Sequence, residues 1–187
     1  IFDLDGTVVT VFGKQDGAEV GYNPKYRGKR SYNPLLCLEA NSSFLWDAEL
    51  RAGNASPWES SPALLDTSFA TVPPDIRELR FRADAGFGFQ PVLQELEDHD
   101  VRYAVVARLT TPLKNALRGL NYQRANARWE LAETEYRAHG WSHARRIVAA
   151  RRLIESEDAH TTLFATGRYL YRAWTTNLPL TPAGVWH

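Results

Sequence analysis

An α/β domain that passes into a β-rich segment is what this sequence predicts, on three observations. Ile1–Val11 is apolar, rich in strand formers, and delivers Asp3 and Asp5 on one strand face. As far as Ala107 the segments read β-β-β-α-β-α-β. Beyond Thr110 the texture changes, and alternating, strand-like segments take over.

The elements follow in order. After the first strand, residues 13–30 are Gly-rich, polar and basic, with Gly21-Tyr-Asn-Pro24 and Arg27-Gly28 as turn signals, so they read as a loop or long hairpin tip. Ser31–Ala40 and Ser43–Leu50 read as two strands separated by Asn41-Ser42. Pro57–Ala70 reads as a helix with Ser56 as N-cap and Pro57 at its first position. Leu79–Asp84 alternates as a strand should. Phe89–Asp98 is a helix with Val92, Leu93 and Leu96 on one face, and Val101–Ala107 is a strand. Trp129–Arg137, Arg146–Leu153 and Tyr169–Thr176 are the later strands, joined by Gly140 and by the polar stretch 155–162. Thr181 and Pro182 form the N-cap and first turn of a helix close to the last residue. The chain also opens inside a strand, without Met, so a fragment incomplete at both ends is expected.

With 187 residues and six Trp, the chain has the composition of a globular protein with a core. Acidic and basic residues balance at 22 each, so total charge is silent about partners. Its distribution is informative. Between Arg102 and Arg152 eleven Lys and Arg face only Glu130, Glu133 and Glu135, and Lys25, Arg27, Lys29 and Arg30 form a compact basic run. Such clusters are read either as a phosphate-binding surface or as a solvated one. The single Cys37, inside Leu35-Leu-Cys-Leu38, reads as a buried small hydrophobe in a reducing compartment. No stretch is long and apolar enough for a membrane span, and nothing resembles a signal peptide.

The chemistry lies at strand ends. Asp5 and Asp84, each closing a predicted strand, could share a Mg²⁺ ion, because hard divalent cations take oxygen ligands and need few carboxylates when a phosphate supplies the rest. The alternative for each is an Asp that simply begins a turn. His139 and His143 have metal-like spacing only on a helix, and Gly140 between them argues for a turn.

Several blocks resemble bacterial insertion-sequence transposases of the DDE class. They are Asp5-Gly-Thr7, Gly21-Tyr-Asn-Pro-Lys-Tyr-Arg-Gly-Lys-Arg-Ser-Tyr-Asn-Pro-Leu-Leu36, Arg82-Ala-Asp-Ala-Gly-Phe87, Tyr103-Ala-Val-Val-Ala-Arg108 and Arg172-Ala-Trp-Thr-Thr-Asn-Leu-Pro179. The likeness runs along nearly the whole chain in order. It implies a ribonuclease-H-like core (residues 1–109) interrupted by a β-rich insertion (110–178), with 179–187 starting the helix that leads back to the core. It implies DNA transposition with Mg²⁺, or Mn²⁺ in its place, held by three acidic residues, of which Asp5 matches the first and Asp84 the second. The third, a helical Glu beyond the Asn-Leu-Pro segment, has no counterpart, so the chain on its own is expected to be inactive. DNA, as transposon ends and target, is the implied partner. A homodimer on DNA, and a cytoplasmic, nucleoid-associated setting without a membrane, complete the expectation. Ala85, Gly88 and Asn33 depart from the family pattern, where Ser, Tyr and His are more usual.

Two other readings stand beside this one. Asp3 and Asp5 in Asp-Leu-Asp-Gly-Thr suit the nucleophile and general acid of a haloacid-dehalogenase-type phosphatase. That enzyme needs a later Ser or Thr at a strand end, a Lys and an acidic pair. Here Val105-Val-Ala-Arg108 supplies no Ser or Thr, and Glu157-Asp158 sits in a polar connection. The other alternative is a non-catalytic nucleic-acid-binding remnant. The DNA-binding candidates are Lys25, Arg27, Lys29 and Arg30, with Arg145 and Arg146 and their neighbours Arg151 and Arg152. Tyr22, Tyr26 and Tyr32 interleave with the first cluster and could stack on bases or pack within the loop. Trp129 and Trp141 are candidates by position, with the core as the alternative.

Overall fold

The computed structural model describes residues 1–56, 58–154, 165–166 and 168–186, and the chain forms two compact units, Ile1–Val101 and Arg102–His187. Among the described residues no helix is long and apolar enough to cross a membrane.

In the first unit the strands are β1 (Phe2–Gly6), β2 (Val9–Thr10), β3 (Glu19–Val20), β4 (Arg30–Tyr32), β5 (Leu35–Glu39), β6 (Phe44–Glu49) and β7 (Arg80–Ala83). Helix α1 (Ser61–Ala70) lies between β6 and β7, and α2 (Gln90–Asp98) follows β7. A mixed sheet runs in the order β6-β5-β1-β7: β1 is antiparallel to β5 and parallel to β7. Period-2 alternation buries Phe2 and Leu4 of β1 and leaves Asp3 and Asp5 on the opposite face. Leu35 and Cys37 of β5 and Phe81 of β7 join the same core. Val92, Leu93 and Leu96 of α2 are fully buried, as their helical spacing requires. Between Cys37 and Leu38 the β5–β6 register slips, so Trp46 is the extra residue of a bulge. Its indole packs 5.2 Å from the Phe2 ring and donates to the Ser68 carbonyl oxygen and the Thr71 hydroxyl of the α1 end.

The second unit contains β8 (Arg102–Val106), β9 (Gln123–Arg124), β10 (Glu130–Tyr136), β11 (Arg145–Leu153), β12 (Ala165–Thr166) and β13 (Tyr169–Thr176). Helix α3 (Thr111–Arg118) follows β8, and α4 (Pro182–Trp186) follows β13. The sheet order is β8-β13-β11-β10-β9, every pairing antiparallel, with β12 on β13. Ile147, Val148, Ala149 and Ala150 of β11 have no exposed surface, as suits a central strand. Trp186 of α4 packs on Trp129 and Trp174 at centroid distances of 4.8 and 5.5 Å.

Several expected boundaries move. The single strand expected over Ile1–Val11 breaks after Gly6: Thr7 donates to the Pro34 carbonyl oxygen, and β2 leaves for a separate three-stranded sheet ordered β2-β4-β3. The strand expected over Ser31–Ala40 breaks at Asn33-Pro34, where Pro has no donor for the ladder. The expected loop 13–30 contains β3. Helix α1 starts at Ser61, after Ser60, with Pro62 in its first turn. Ser56 is therefore not its N-cap, and Pro57 lies outside the described residues. Helix α3 was not expected in a β-rich segment; Thr110 caps it, accepting from the Leu113 amide, and Leu113 and Leu117 are buried one turn apart. The strand expected over Val101–Ala107 is β8, which pairs with β13. The polar stretch 155–162 falls outside the described residues. At the end of the chain the Thr181 hydroxyl accepts from the Gly184 amide, the expected N-cap.

Candidate active site

Parallel pairing of β1 and β7 sets Leu4 opposite Ala83, so the residues that follow them are Asp5, on β1, and Asp84, directly after β7. Both are exposed, and both line one cleft of about 450 Å³ in the first unit. Each carboxylate is oriented locally. Asp5 Oδ1 accepts from the Gly6 amide at 2.8 Å, and Asp84 Oδ1 accepts from the Gly86 amide at 2.7 Å. The Phe87 amide closes the turn onto the Asp84 carbonyl oxygen at 3.2 Å. Adjacent ends of parallel strands are where α/β sheets place ligands, because the chain must leave the sheet there and open a crevice.

The cleft is also lined by Asn33, Arg51 and Gly53. Arg51 is 6% exposed; its Nε donates to the Asn33 carbonyl oxygen and Nη1 to the Ser56 carbonyl oxygen, both at 3.1 Å. Burial pulls its pKa down, opposed by the charges of Glu49 and Glu59. A buried guanidinium tied to carbonyl oxygens is a fixed positive charge, which favours a phosphate in the cleft. Gly21 and Gly53 meet backbone to backbone: a methyl group on Gly21 would overlap the Gly53 carbonyl.

Asp3 shares the β1 face of Asp5 but is already engaged. Arg82 Nε and Nη2 donate to its two oxygens, each at 2.7 Å, and this bond raises the Arg82 pKa. Two carboxylates with solvent-facing surface, on rigid strand ends beside a buried guanidinium, are a donor set suited to Mg²⁺ or Mn²⁺. Among the described residues no third acidic side chain lines the cleft.

Residues 1–181 match the family described as transposase DDE domain group 1. The chain belongs to that family. Its fold also matches the piggyBac transposase, solved by cryo-EM as a synaptic complex with hairpin DNA, with a TM-score of 0.52 over 96% of this chain at 10% identity. At that identity the likeness is one of fold: a mixed α/β transposase fold. The chain covers 34% of that structure's chain. No curated protein matches it.

The basic residues of this transposase domain fall into two kinds. Lys25, Arg27, Lys29 and Arg30 are all exposed, around the turn that enters β4. Arg145, by contrast, is 3% exposed, with its guanidinium 5.2 Å from the Trp141 ring centroid. Arg146 donates at 2.7 Å to Glu133 Oε2 and to the carbonyl oxygens of Leu178 and Leu180. Arg151 lies between the Tyr122 and Tyr169 rings and donates to Glu130, and Arg152 lies over half-buried Trp129. These four arginines of β11 hold their own unit together. Trp141 is likewise buried, and Gly140 adopts φ +86°, so His139 and His143 flank a turn.

One polar cluster escaped the sequence reading. His99 Nε2 lies 3.2 Å from Asp66 Oδ1 and 3.0 Å from Glu95 Oε1, linking the end of α2 to α1. The Glu95-to-His99 spacing was visible as a helical i,i+4 pair, but Asp66 joins only through the fold. The three form a group able to hold a cation.

Proposed function

We propose that this chain is the part of an insertion-sequence transposase that supplies the first two of three metal-binding carboxylates, Asp5 and Asp84. The observation that carries the reading is their convergence at the adjacent ends of β1 and β7 in one cleft. Asp5 and Asp84 would hold Mg²⁺ or Mn²⁺ with the oxygen that neither Gly6 nor Gly86 occupies. A bound divalent cation supplies Lewis-acid polarisation of the phosphodiester and an activated water. Arg51 offsets phosphate charge within the cleft, and Lys25, Arg27, Lys29 and Arg30 track the DNA backbone. Arg145 and Arg146 stay out of the contact set, because Trp141, Glu133 and backbone carbonyls already engage them.

In the reaction water attacks phosphorus at the transposon end and the bond to the 3′ oxygen breaks. The leaving oxygen takes a proton, and the freed 3′-hydroxyl then attacks target DNA, displacing a target 3′ oxygen. Strand cleavage needs a third carboxylate, and among the described residues none besides Asp5 and Asp84 lines the cleft. The intact protein would act as a homodimer on DNA, at the nucleoid.

The test is nicking of transposon-end DNA in Mg²⁺ or Mn²⁺ by a protein that carries this domain together with a third carboxylate. Asp5→Asn and Asp84→Asn are expected to abolish cutting, with Asp3→Asn still active. Hydrolysis of p-nitrophenyl phosphate that depends on Asp3, with no DNA cut, would install the phosphatase reading instead. DNA binding without any cutting would install the non-catalytic one.

A further inference from the structure

We propose that Tyr22 is a stacking platform at the two-carboxylate cleft, which takes the face of an unpaired nucleobase beside the scissile phosphate and sets its register against Asp5 and Asp84. The proposal rests on the transposase reading of that cleft and adds to it a positioning residue and a preference for unstacked DNA.

Three tyrosines interleave with the basic run, and only one is presented to a ligand. Tyr26 packs edge-on against Phe12 with centroids 5.6 Å apart, and Lys25 Nζ lies 5.4 Å from its ring centre. Tyr32, in β4, donates its hydroxyl to the Asp16 carbonyl oxygen. Tyr22 is 82% exposed, more than any other large apolar or aromatic side chain among the described residues. It also lines the cleft that contains Asp5 and Asp84.

An exposed Tyr by itself is ordinary. Tyr22 differs in how its backbone is held. On one side Gly21 lies directly against the Gly53 backbone, an approach that no residue with a Cβ could make. Gly53 in turn sits against the Glu19 carbonyl and Ser31, where a Cβ would also overlap. On the other side Asn23 is 4% exposed; its Nδ2 donates to Thr10 Oγ1 at 2.8 Å, and its Oδ1 accepts from the Tyr26 amide at 2.9 Å. Pro24 then restricts the backbone of Asn23 itself. Two anchored residues, Gly21 and Asn23, thus flank one side chain left in water. The fold already holds the backbone beneath the ring, so a ligand gains the contact without ordering a loop.

The chemistry of the cleft selects the ligand. Carboxylates suited to a divalent cation, a buried guanidinium and the exposed Lys25, Arg27, Lys29 and Arg30 call for a phosphodiester chain. The flat group available on such a chain is a nucleobase. Its face is reachable only when the base has left the duplex stack, as at a melted or nicked junction. Since every base has a π-face, the contact would position DNA without reading its sequence.

The test uses the 187-residue chain and a short single-stranded DNA carrying one 2-aminopurine and an end-label, beside a fully paired duplex of the same sequence. Wild type and Tyr22→Phe are expected to quench 2-aminopurine in the single strand and to bind it more tightly than the duplex. Tyr22→Ala and Tyr22→Leu are expected to lose the quench and to weaken single-strand binding by about tenfold, within the range for one base on one ring. Lys25→Ala is expected to weaken both DNAs alike and keep the quench. Quenching and affinity unchanged in Tyr22→Ala, with DNA still bound, would overturn the proposal alone. Absence of DNA binding by wild type would overturn it together with the transposase reading. Tyr22→Leu keeps the bulk of the side chain, so loss of quench in a variant with the wild-type melting curve reports the ring and not the fold.

Discussion

Arg82 grips both oxygens of Asp3, Nε on one and Nη2 on the other, each at 2.7 Å, across the parallel pair of β1 and β7. The strand register sets these two residues opposite each other, one pleat repeat behind Asp5 and Asp84 on the same face. A bidentate guanidinium–carboxylate pair is among the stronger polar contacts a sheet can carry. It explains why two aspartates spaced like a phosphatase pair have different roles: the first ties strands together, and the second faces the cleft.

Asp3→Asn is therefore expected to reduce stability while sparing the cleft. The pair is partly exposed, at 57% for Arg82 and 36% for Asp3, so solvent screening limits the loss to about 0.5–1 kcal/mol. Urea unfolding of wild type against Asp3→Asn measures it.

Gly21→Ala is expected to be among the most damaging single changes in the chain, because its new methyl would overlap the Gly53 carbonyl and neither backbone can retreat cheaply. A loss of at least ~2 kcal/mol follows from overpacking of this kind. Gly119→Ala serves as the control. That residue caps α3 at φ −85°, nothing lies within 4 Å of an added Cβ, and its melting temperature is expected to stay within a degree or two of wild type, about ±0.5 kcal/mol.

His99→Ala removes a clamp between α1 and α2. The ring touches Phe69 at 5.2 Å and its Nε2 meets carboxylates of both helices. A cost of about 1 kcal/mol is expected, with a smaller one for Asp66→Asn, whose partner keeps Glu95. Chemical denaturation of the two variants orders them.

Cys37 is fully buried, and burial pushes its thiol pKa up to about 11. The thiolate is the reactive form, so at neutral pH the thiol is doubly protected, by access and by protonation. A disulfide reagent is expected to label it only as fast as the protein unfolds, and at once in denaturant. Rapid stoichiometric labelling of native protein would contradict the packing of β5.

How much of this was legible depends on whether the signal is local. Alternation in Phe2-Asp-Leu-Asp5 and the triad Val92, Leu93 and Leu96 are local patterns, and each marked its element and buried face. Thr110, Pro112, Leu113 and Leu117 carry an equally local helix signature, which the surrounding β-rich texture masked. Arg145 and Arg146 stand out in the sequence because charge is local, whereas Trp141 and Glu133, which engage them, arrive through sheet pairing and a turn. The three tyrosines at 22, 26 and 32 are chemically alike in sequence. Their different environments come from Phe12, Asp16 and Gly53, brought close only by the fold. The approach of Asp5 to Asp84 likewise depends on β1 pairing with a strand from the far side of α1.

The most direct test of the central claim is Mn²⁺ binding to the 187-residue chain, followed by electron paramagnetic resonance. His99→Ala is the background, so that the Asp66, Glu95 and His99 group does not compete. A bound-ion signal is expected that disappears in Asp5→Asn and in Asp84→Asn and persists in Asp3→Asn. A signal that survives both of the first two changes, or that vanishes with Asp3, would contradict it.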